Sequence, residues 1–372
     1  MTTASLQAVF RPVGEPVGVG IIGCGYISGI YLANMPVWGN VRVIGVADAV
    51  PAAADARAAE FGVKPMEVDT LLAHPEVEII LNLTVPNAHA EVGLAAIRAG
   101  KSVYNEKPLA TTHADGVALM QEAARHGVLV GCAPDTFLGG GLQTGRDVID
   151  TGAIGTPIGA TGFMLTPGHE RWHPQPDFYY QAGGGPMLDM GPYYLSALVA
   201  MLGPVRRVTG SVRASHPERT ISSEPRRGER IPVEVPTHQA AVLDFASGPI
   251  ATLVTSFDVT EGACPELEVY GSGGTLHLPD PNTFGGPIRR KAMGGDWEAV
   301  AITRPNTENG RGLGLSDMAD ALRTGRAPRA SGALAVHVLE VMEAVSAAST
   351  NGRHIEITST ITRPDPLPPA GA

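Results

Sequence analysis

A short glycine-rich stretch brings a carboxylate and a phenol together in the sequence. It reads GGGPMLDMGPYY over residues 183–194, and Pro186 suits the first turn of a helix. If a helix begins there, Asp189 and Tyr193 lie four residues apart and project from one face. Three consecutive glycines lose much backbone entropy on folding, so they are expected only where the local backbone conformation or a close approach of the backbone requires them. The stretch predicts a site that a small molecule approaches closely, although a buried tyrosine bonded to an aspartate would give the same pattern.

A second pair of glycines follows the first apolar run of the chain, residues 17–22. In GCGYIS, Gly23 and Gly25 have the spacing of a dinucleotide-binding turn, where the backbone approaches a pyrophosphate at a helix N-terminus. Ser28 stands where the third small residue is usually glycine or alanine. Asp48 ends the second apolar run, and a carboxylate there accepts bonds from ribose hydroxyls and repels a 2'-phosphate. The combination predicts NAD rather than NADP; a glycine turn with an aspartate helix cap is the alternative.

The elements that must position these residues alternate in the first third of the chain. Apolar runs bounded by turn residues predict strands at 17–22, 41–47, 78–85, 101–106 and 128–133. Alanine-rich periodic stretches between them predict helices at 51–61, 88–100 and 112–126. This order is typical of a parallel sheet covered by helices.

The pattern changes after residue 135. A helix at 140–152 leads to predicted strands at 157–165, 205–213, 238–246, 250–258, 266–270 and 274–278. The polar segment 215–236 is predicted to be a long surface loop, and the tail 363–372 to be loose. Two further helices are predicted at 314–324 and 332–349. We therefore expect an α/β protein with two domains, 1–134 and 135–372, the second being α+β with an open, mostly antiparallel sheet.

Composition excludes several classes of function. The 372 residues suffice for two cores, and 44% hydrophobic with 17% charged residues is ordinary for a folded protein. A net charge of -10 argues against a nucleic-acid partner. The sequence has no uninterrupted apolar run of 18 residues, so no membrane span is predicted. The three cysteines form no C-x-x-C pair, so neither a disulfide framework nor a zinc knuckle is expected. Residues 1–16 lack a targeting pattern, so we expect a cytoplasmic protein.

The segment TVPNAHAEVGLAAIRAGKSVYNEKPLA, residues 84–110, carries a family resemblance. Together with GCGYIS, DTGAIG at 150–155 and GGGPMLDMGPYY, it resembles the Gfo/Idh/MocA family of sugar and polyol dehydrogenases over nearly the whole chain. The resemblance implies a Rossmann domain that holds NAD and a second domain whose open sheet covers the nicotinamide. A carbohydrate substrate would lie between them, and the open sheet would build a homo-oligomer, a dimer or a dimer of dimers.

The resemblance also implies roles for particular residues. Lys107, in an E-K-P turn at the end of a predicted strand, would stabilise the alkoxide that develops as an alcohol loses hydride. The family's aspartate is kept as Asp189, but Tyr193 replaces the proton-transferring histidine, as in relatives similar to glucose-fructose oxidoreductase. A phenol acts as a base near neutral pH only beside a cation such as Lys107. The predicted cofactor contacts are Gly23, Gly25, Tyr26, Ile27, Asp48, Thr84, Pro86, Asn87, His89, Glu106 and Lys107.

The segment GHERWHPQPDFYYQ, residues 168–181, resembles the family's substrate-contacting loop. Its rings and charges suit a sugar that bears an anionic group, although an ordinary loop with aromatic anchors would look the same. The proline after His173 and the lack of a matching carboxylate helix argue against a metal site, so none is predicted. The candidate substrate residues are His169, Arg171, Trp172, His173, Tyr179 and His238.

Three functions remain open at this point. The leading one is NAD-dependent oxidation of a ring hydroxyl of a sugar or glycoside. The second is an NAD-dependent glycosidase, which oxidises, eliminates, adds water and re-reduces without net NADH, on a substrate such as an anionic sulfoquinovoside. The third is an NAD(H)-binding regulator, against which the retention of Lys107, Asp189 and a phenol at 193 counts.

Overall fold

The computed structural model describes residues 14–369. Residues 1–13 and 370–372, on which the targeting prediction and the end of the predicted loose tail fall, lie outside the described residues. Within them the chain forms two large sheets, with helices packed on both faces of the first.

The first sheet is parallel and has the strand order β2-β1-β3-β4-β5. Its strands are β1 (Val17–Ile22), β2 (Val41–Ala47), β3 (Ile79–Asn82), β4 (Ser102–Asn105) and β5 (Val130–Cys132). The helices between them are α1 (Tyr26–Asn34), α2 (Pro51–Phe61), α3 (Val68–Ala73), α4 (His89–Arg98) and α5 (His113–His126). The chain runs outward from β1 to β2 and returns to β3 on the other side. A ligand crevice forms at such a reversal, beyond the carboxyl ends of β1 and β3.

The second sheet has nine strands in the order β15-β14-β13-β12-β6-β11-β10-β7-β16. Its strands are β6 (Pro157–Leu165), β7 (Val205–Arg213), β10 (His238–Phe245), β11 (Ile250–Ser256), β12 (Leu267–Gly271), β13 (Gly274–Leu278), β14 (Ile288–Ala292), β15 (Trp297–Val300) and β16 (Ile355–Glu356). Only β6 and β11 pair in parallel, so the predicted mostly antiparallel sheet is confirmed.

In the described residues after the first domain lie four α-helices: α6 (Gly140–Asp150), α7 (Pro186–Leu202), α8 (Leu313–Thr324) and α9 (Gly332–Asn351). Among the described residues, α9 alone is long and apolar enough to cross a membrane, but 61% of its most apolar window is buried inside the protein. It packs against β7, α5 and α7, as a core helix does. Because α8 and α9 also contact β5, they return the end of the chain to the first sheet, and the division at residue 134 stays a prediction.

Two predictions about irregular segments were wrong. The segment 215–236 contains a two-stranded ribbon, β8 (Glu218–Thr220) with β9 (Arg230–Pro232), instead of only loop. The described part of the tail, residues 363–369, is packed, because the backbone N–H of Leu367 donates to Gln143 Oε1 at 2.9 Å and the Leu367 side chain is buried. Arg304 donates to the Leu367 carbonyl at 2.8 Å, so residues near the chain end are fixed by side chains of the second domain.

Candidate active site

The glycine turn after β1 leaves the N-terminus of α1 open. Gly23 has φ +103°, and a Cβ there would come within 2.5 Å of the Leu83 carbonyl carbon, so a side chain is excluded. Gly25 precedes α1 without a side-chain cap, and a Cβ built on it meets nothing within 4 Å. Tyr26 is 98% exposed, whereas Ile27 packs against the core. The free N–H groups of the first turn and the open space fit a pyrophosphate.

Asp48 borders this turn at the end of β2. Its Oδ2 accepts from the Cys24 N–H at 2.7 Å and its Oδ1 from the Val50 N–H at 2.8 Å. Each oxygen keeps a second lone pair for a ribose hydroxyl. Sequence reasoning missed Arg57 of α2, which donates to the Gly25 carbonyl at 3.0 Å and forms an ion pair with Glu60. Its charge is therefore partly balanced before any ligand arrives.

Two of the predicted cofactor contacts, His89 and Glu106, are buried side chains that bond to the turns beside the crevice. His89 is 1% exposed, and its ring nitrogens lie 2.6 Å from the Pro108 carbonyl and 3.0 Å from the Thr84 carbonyl. Glu106 is 7% exposed and accepts from the Tyr31 hydroxyl at 2.9 Å and from the Lys107 N–H at 2.8 Å. Direct contact with a ligand by His89 is disfavoured by its burial, so we interpret both residues as fixing the turns after β3 and β4.

The other predicted residues after β3 lie nearer the opening. Thr84 donates its hydroxyl to Asn82 Oδ1 at 2.7 Å, which orders the turn. Pro86 and Asn87 begin a short 3-10 helix before α4, and neither is buried. Asn87 lies beside Gly183 of the second domain, where a Cβ would come within 2.7 Å of its Oδ1. Since Gly183 also has φ +88°, the glycine segment passes close to the first domain only because it lacks side chains.

Lys107 and Asp189 meet across the two domains. Lys107 lies in the turn after β4, and α7 begins at Pro186 as predicted, which places Asp189 in its first turn. Lys107 Nζ donates to Asp189 Oδ1 and to the Asp189 carbonyl, both at 2.8 Å. The side chains are 18% and 15% exposed, so the ion pair is largely shielded from water but not sealed.

Charge on this pair is fixed by its surroundings. Burial by itself would lower the pKa of Lys107, but the carboxylates of Asp189 and Glu106 raise it well above its ordinary value. Burial would raise the pKa of Asp189, but Lys107 and His169 hold it well below its usual range. Near neutral pH the pair is therefore ammonium and carboxylate.

His169 contacts the second oxygen of Asp189. Its Nε2 lies 2.9 Å from Asp189 Oδ2, and its Nδ1 accepts from the Trp172 indole N–H at 3.2 Å. The imidazole ring packs against the rings of Tyr179 and Phe257, at centroid distances of 4.2 and 4.6 Å. The sequence placed His169 in the substrate loop, but it gave no signal of this contact, because the partner lies 20 residues away on another element.

Tyr193 shares the helix face of Asp189 but lies deeper. It is 6% exposed, and Lys107 Nζ lies 5.3 Å from its ring centroid. Burial raises the pKa of the Tyr193 phenol, although the charges of Lys107 and Arg311 act in the opposite direction. Sequence reasoning did not single out Arg311 as a neighbour of this phenol.

The remaining candidate substrate residues divide into two groups. Trp172 is 61% exposed, Arg171 is exposed, and His173 lies half-buried with its ring against Tyr179. The Trp172 ring contacts the rings of His169 and His173, so these two residues lie on the same loop as the histidine that bonds Asp189. His238 does not join them, because its Nδ1 bonds to Ser256 Oγ at 2.9 Å and it lies on the sheet face opposite the buried residues of β10. The prediction that His238 contacts substrate is therefore not supported by its position.

The two parts of the chain that meet at this site each match a known protein family. Residues 17–133 match the oxidoreductase family with an NAD-binding Rossmann fold, and residues 142–277 match the GFO/IDH/MocA C-terminal domain. The chain belongs to the Gfo/Idh/MocA oxidoreductase family. Its first domain is an NAD-binding Rossmann domain, as predicted, and the glycine turn, the open N-terminus of α1 and Asp48 fit that cofactor.

Individual relatives of this Gfo/Idh/MocA protein have names that give sugars and polyols as their substrates. The 1,5-anhydro-D-fructose reductase of Ensifer adhaerens is 31% identical over 58% of this chain, which spans only 61% of the reductase. An inositol 2-dehydrogenase of Ralstonia nicotianae is 30% identical over 71% of this chain and 74% of its own. Levoglucosan dehydrogenase in complex with NADH has a TM-score of 0.80, covering 93% of this chain and all of its own; at 19% identity it shows a shared fold.

Proposed function

We propose that this protein oxidises a ring hydroxyl of a sugar or glycoside with NAD as the hydride acceptor. The observation that supports this most directly is the Lys107–Asp189 ion pair, which joins the NAD-binding domain to the substrate loop. Bound NAD would supply the two-electron oxidant of this chemistry. The residues of the chain would bind the sugar, stabilise negative charge on its oxygen and remove its proton.

Lys107 is suited to the charge that develops on the substrate oxygen. Its ammonium uses two N–H groups on Asp189, which leaves a third for the hydroxyl that becomes an alkoxide. Because Asp189 is held by Lys107 and His169 together, the ammonium is fixed before substrate binds. A preorganised donor of this kind stabilises the transition state without reorganisation at the moment of reaction.

The loop 168–181 is suited to a carbohydrate. Trp172 and Tyr179 offer flat apolar faces on which the C–H face of a pyranose packs, and His173 and Arg171 offer polar groups at the rim. The named activities of the relatives, on inositol and on anhydrosugars, support a small polyhydroxy substrate. The exposed Arg171 adds a site for an anionic substituent.

The experiment is a panel of polyols, free sugars and aryl glycosides, neutral and anionic, incubated with the protein and NAD+. We expect NADH absorbance to rise in proportion to a keto product for at least one carbohydrate. Aglycone release without net NADH, together with exchange of the C2 hydrogen for deuterium, would instead establish the redox-neutral glycosidase. NAD binding with no chemistry on any member would favour the regulator and reject the proposal.

A further inference from the structure

The Lys107–Asp189 pair still needs a group that takes the hydroxyl proton. Lys107 is protonated and has no lone pair, and Asp189, which accepts from Lys107 and His169, has its pKa held so far below its usual range that its carboxylate is a weak base. Tyr193, the residue at the family's histidine position, is 6% exposed, and burial raises the pKa of its phenol, so the hydroxyl is neutral and a poor proton acceptor. The base must therefore be sought outside the pattern of α7.

His169 has the geometry of such a base. The indole N–H of Trp172 can only donate, so Nδ1 of His169 must carry the lone pair that accepts it at 3.2 Å. The ring proton then lies on Nε2 and is donated to Asp189 Oδ2 at 2.9 Å. A carboxylate that fixes the tautomer on one nitrogen leaves the other free to accept a proton, which is the arrangement of a general base.

The backbone around His169 is held by a buried ion network. Glu170 accepts from Arg219 at 3.0 Å and from the Tyr180 hydroxyl. Arg219 also pairs with Asp258 at 3.0 Å and donates to the carbonyls of Pro167 and Phe257. The three charged side chains are only 8 to 10% exposed. Such a network fixes the position of His169 before substrate binds.

We propose that His169 Nδ1 accepts the proton of the substrate hydroxyl, and that the Trp172 indole N–H occupies the place of that hydroxyl when the site is empty of sugar. This inference rests on the proposed function. The O–H bond breaks toward Nδ1, while the carbinol carbon loses its hydrogen with the electron pair to NAD+, leaving a ketone, NADH and an imidazolium that returns its proton to water. The exposed Trp172 must move aside as the hydroxyl enters.

The charged and titratable groups that face His169 come from three elements. Asp189 of α7 bonds it directly, and Lys107 of the turn after β4 lies on the far side of that carboxylate. His173 and Tyr179 of its own loop contact or neighbour the ring. Burial lowers the pKa of His173 and raises that of Tyr179, so both are neutral near pH 7.

The kinetic test replaces His169 by glutamine, whose amide can still donate to Asp189 but is not a base. We expect kcat/KM to fall about 10²- to 10⁴-fold. In the native protein kcat/KM should fall as the pH is lowered, because a protonated His169 ring cannot accept the proton, and this acidic limb of the profile should vanish in His169→Gln. Tyr193→Phe should keep the limb. His216→Gln, an exposed histidine, is the matched control and should behave as the native protein.

A second measurement uses the protein without cofactor or sugar. Histidine ¹⁵N spectra, assigned by comparison with His169→Gln, should show the Nε2–H tautomer near pH 7, and Trp172→Phe should shift the unprotonated Nδ1 signal to higher frequency. A proton on Nδ1, or an imidazolium at neutral pH, overturns the inference even if no carbohydrate is oxidised. Native turnover with an unchanged pH limb in His169→Gln overturns it while leaving the proposed function intact.

Discussion

At the scale of single residues, Lys107 should act on charge that develops during reaction and not on the nucleotide. Replacing it by methionine keeps much of the stem but removes the ammonium that Asp189 holds. We expect kcat to fall about 10²-fold or more, with NAD affinity within a few fold of native. Steady-state kinetics with calorimetric NAD titration measures both, and Lys291→Met, on exposed β14, serves as control. A comparable loss in NAD affinity would contradict this role.

Asp48 should decide between the two nicotinamide cofactors. Its carboxylate is fixed by two backbone N–H groups at the edge of the glycine turn, where a 2'-phosphate would meet like charge. We expect NAD to bind more tightly than NADP, and Asp48→Ala to narrow the difference, helped by the nearby Arg57. Calorimetry with both cofactors measures this. Equal or tighter NADP binding by the native protein would reject the assignment.

At the scale of elements, sequence patterns predicted the helices and strands that bury an apolar face. The bounds of α2, β6 and β7 match the expected ranges, because apolar spacing and turn residues fixed them. The predictions missed β14 and β15, whose sequences IRRKA and WEAV are charged and mostly exposed. They also missed α3, which is only six residues long. Such elements are fixed by neighbours in the sheet and leave little signal in the chain itself.

The candidate site was predictable only where its residues follow regular elements. Lys107 was placed by the end of β4 and Asp189 by the start of α7, so the crevice between them could be expected. The contact of His169 with Asp189 depends on the path of an irregular loop, which no periodicity describes. The burial of Tyr193 likewise depends on how α7 packs against α9 and the second sheet.

The loop that carries His169 should depend on Arg219. Removing the guanidinium with Arg219→Ala leaves Glu170 and Asp258 buried without their partner, at a cost of about 3 to 5 kcal/mol in the free energy of unfolding. We also expect faster proteolysis within residues 168–181. Urea unfolding and limited proteolysis measure the two effects. Arg227→Ala is the control, because it removes only an exposed ion pair in the segment 215–236 that also holds Arg219. It should change the free energy of unfolding by less than about 1 kcal/mol.

At the scale of the whole molecule, Asp135 joins the turn after β5 of the first sheet to the start of α8. It is 1% exposed, and its Oδ2 accepts from the N–H groups of Gly312 and Gly314, at 2.9 and 3.0 Å. Burial raises its pKa to about 6. Its protonated form is therefore favoured by folding, which adds stability that is full below about pH 4 and is lost as pH rises through 6.

Asp135→Asn should remove that dependence on pH. Because both N–H groups bond one oxygen, the asparagine oxygen can replace it. Relative to Asp135→Asn, the native protein should gain up to about 3 kcal/mol of unfolding free energy between pH 7 and pH 4. Urea unfolding at several pH values tests this, with exposed Asp55→Asn as control. A difference that stays constant over this range would show that Asp135 is ionised throughout.

The predicted homo-oligomer would use the open face of the second sheet. Val242 and Ile250 lie there, 37% and 55% exposed, on neighbouring strands. Large exposed apolar side chains on one sheet face suit burial against a second copy. We expect sedimentation to give a dimer or a dimer of dimers, and Val242→Arg to shift it toward a monomer with unchanged secondary structure. A native protein that sediments as a monomer would refute this.

The exposure of Trp172 at the crevice has an optical consequence. Trp38 is buried and Trp297 lies at the far edge of the second sheet, so the three indoles of the chain occupy very different surroundings. Tryptophan emission overlaps the absorption of reduced nicotinamide, and an indole beside the crevice transfers excitation to NADH far more efficiently than a distant one. Trp172→Phe should therefore lower the sensitised NADH emission while the cofactor stays bound. That signal would time the movement of one side chain during turnover, without any attached dye.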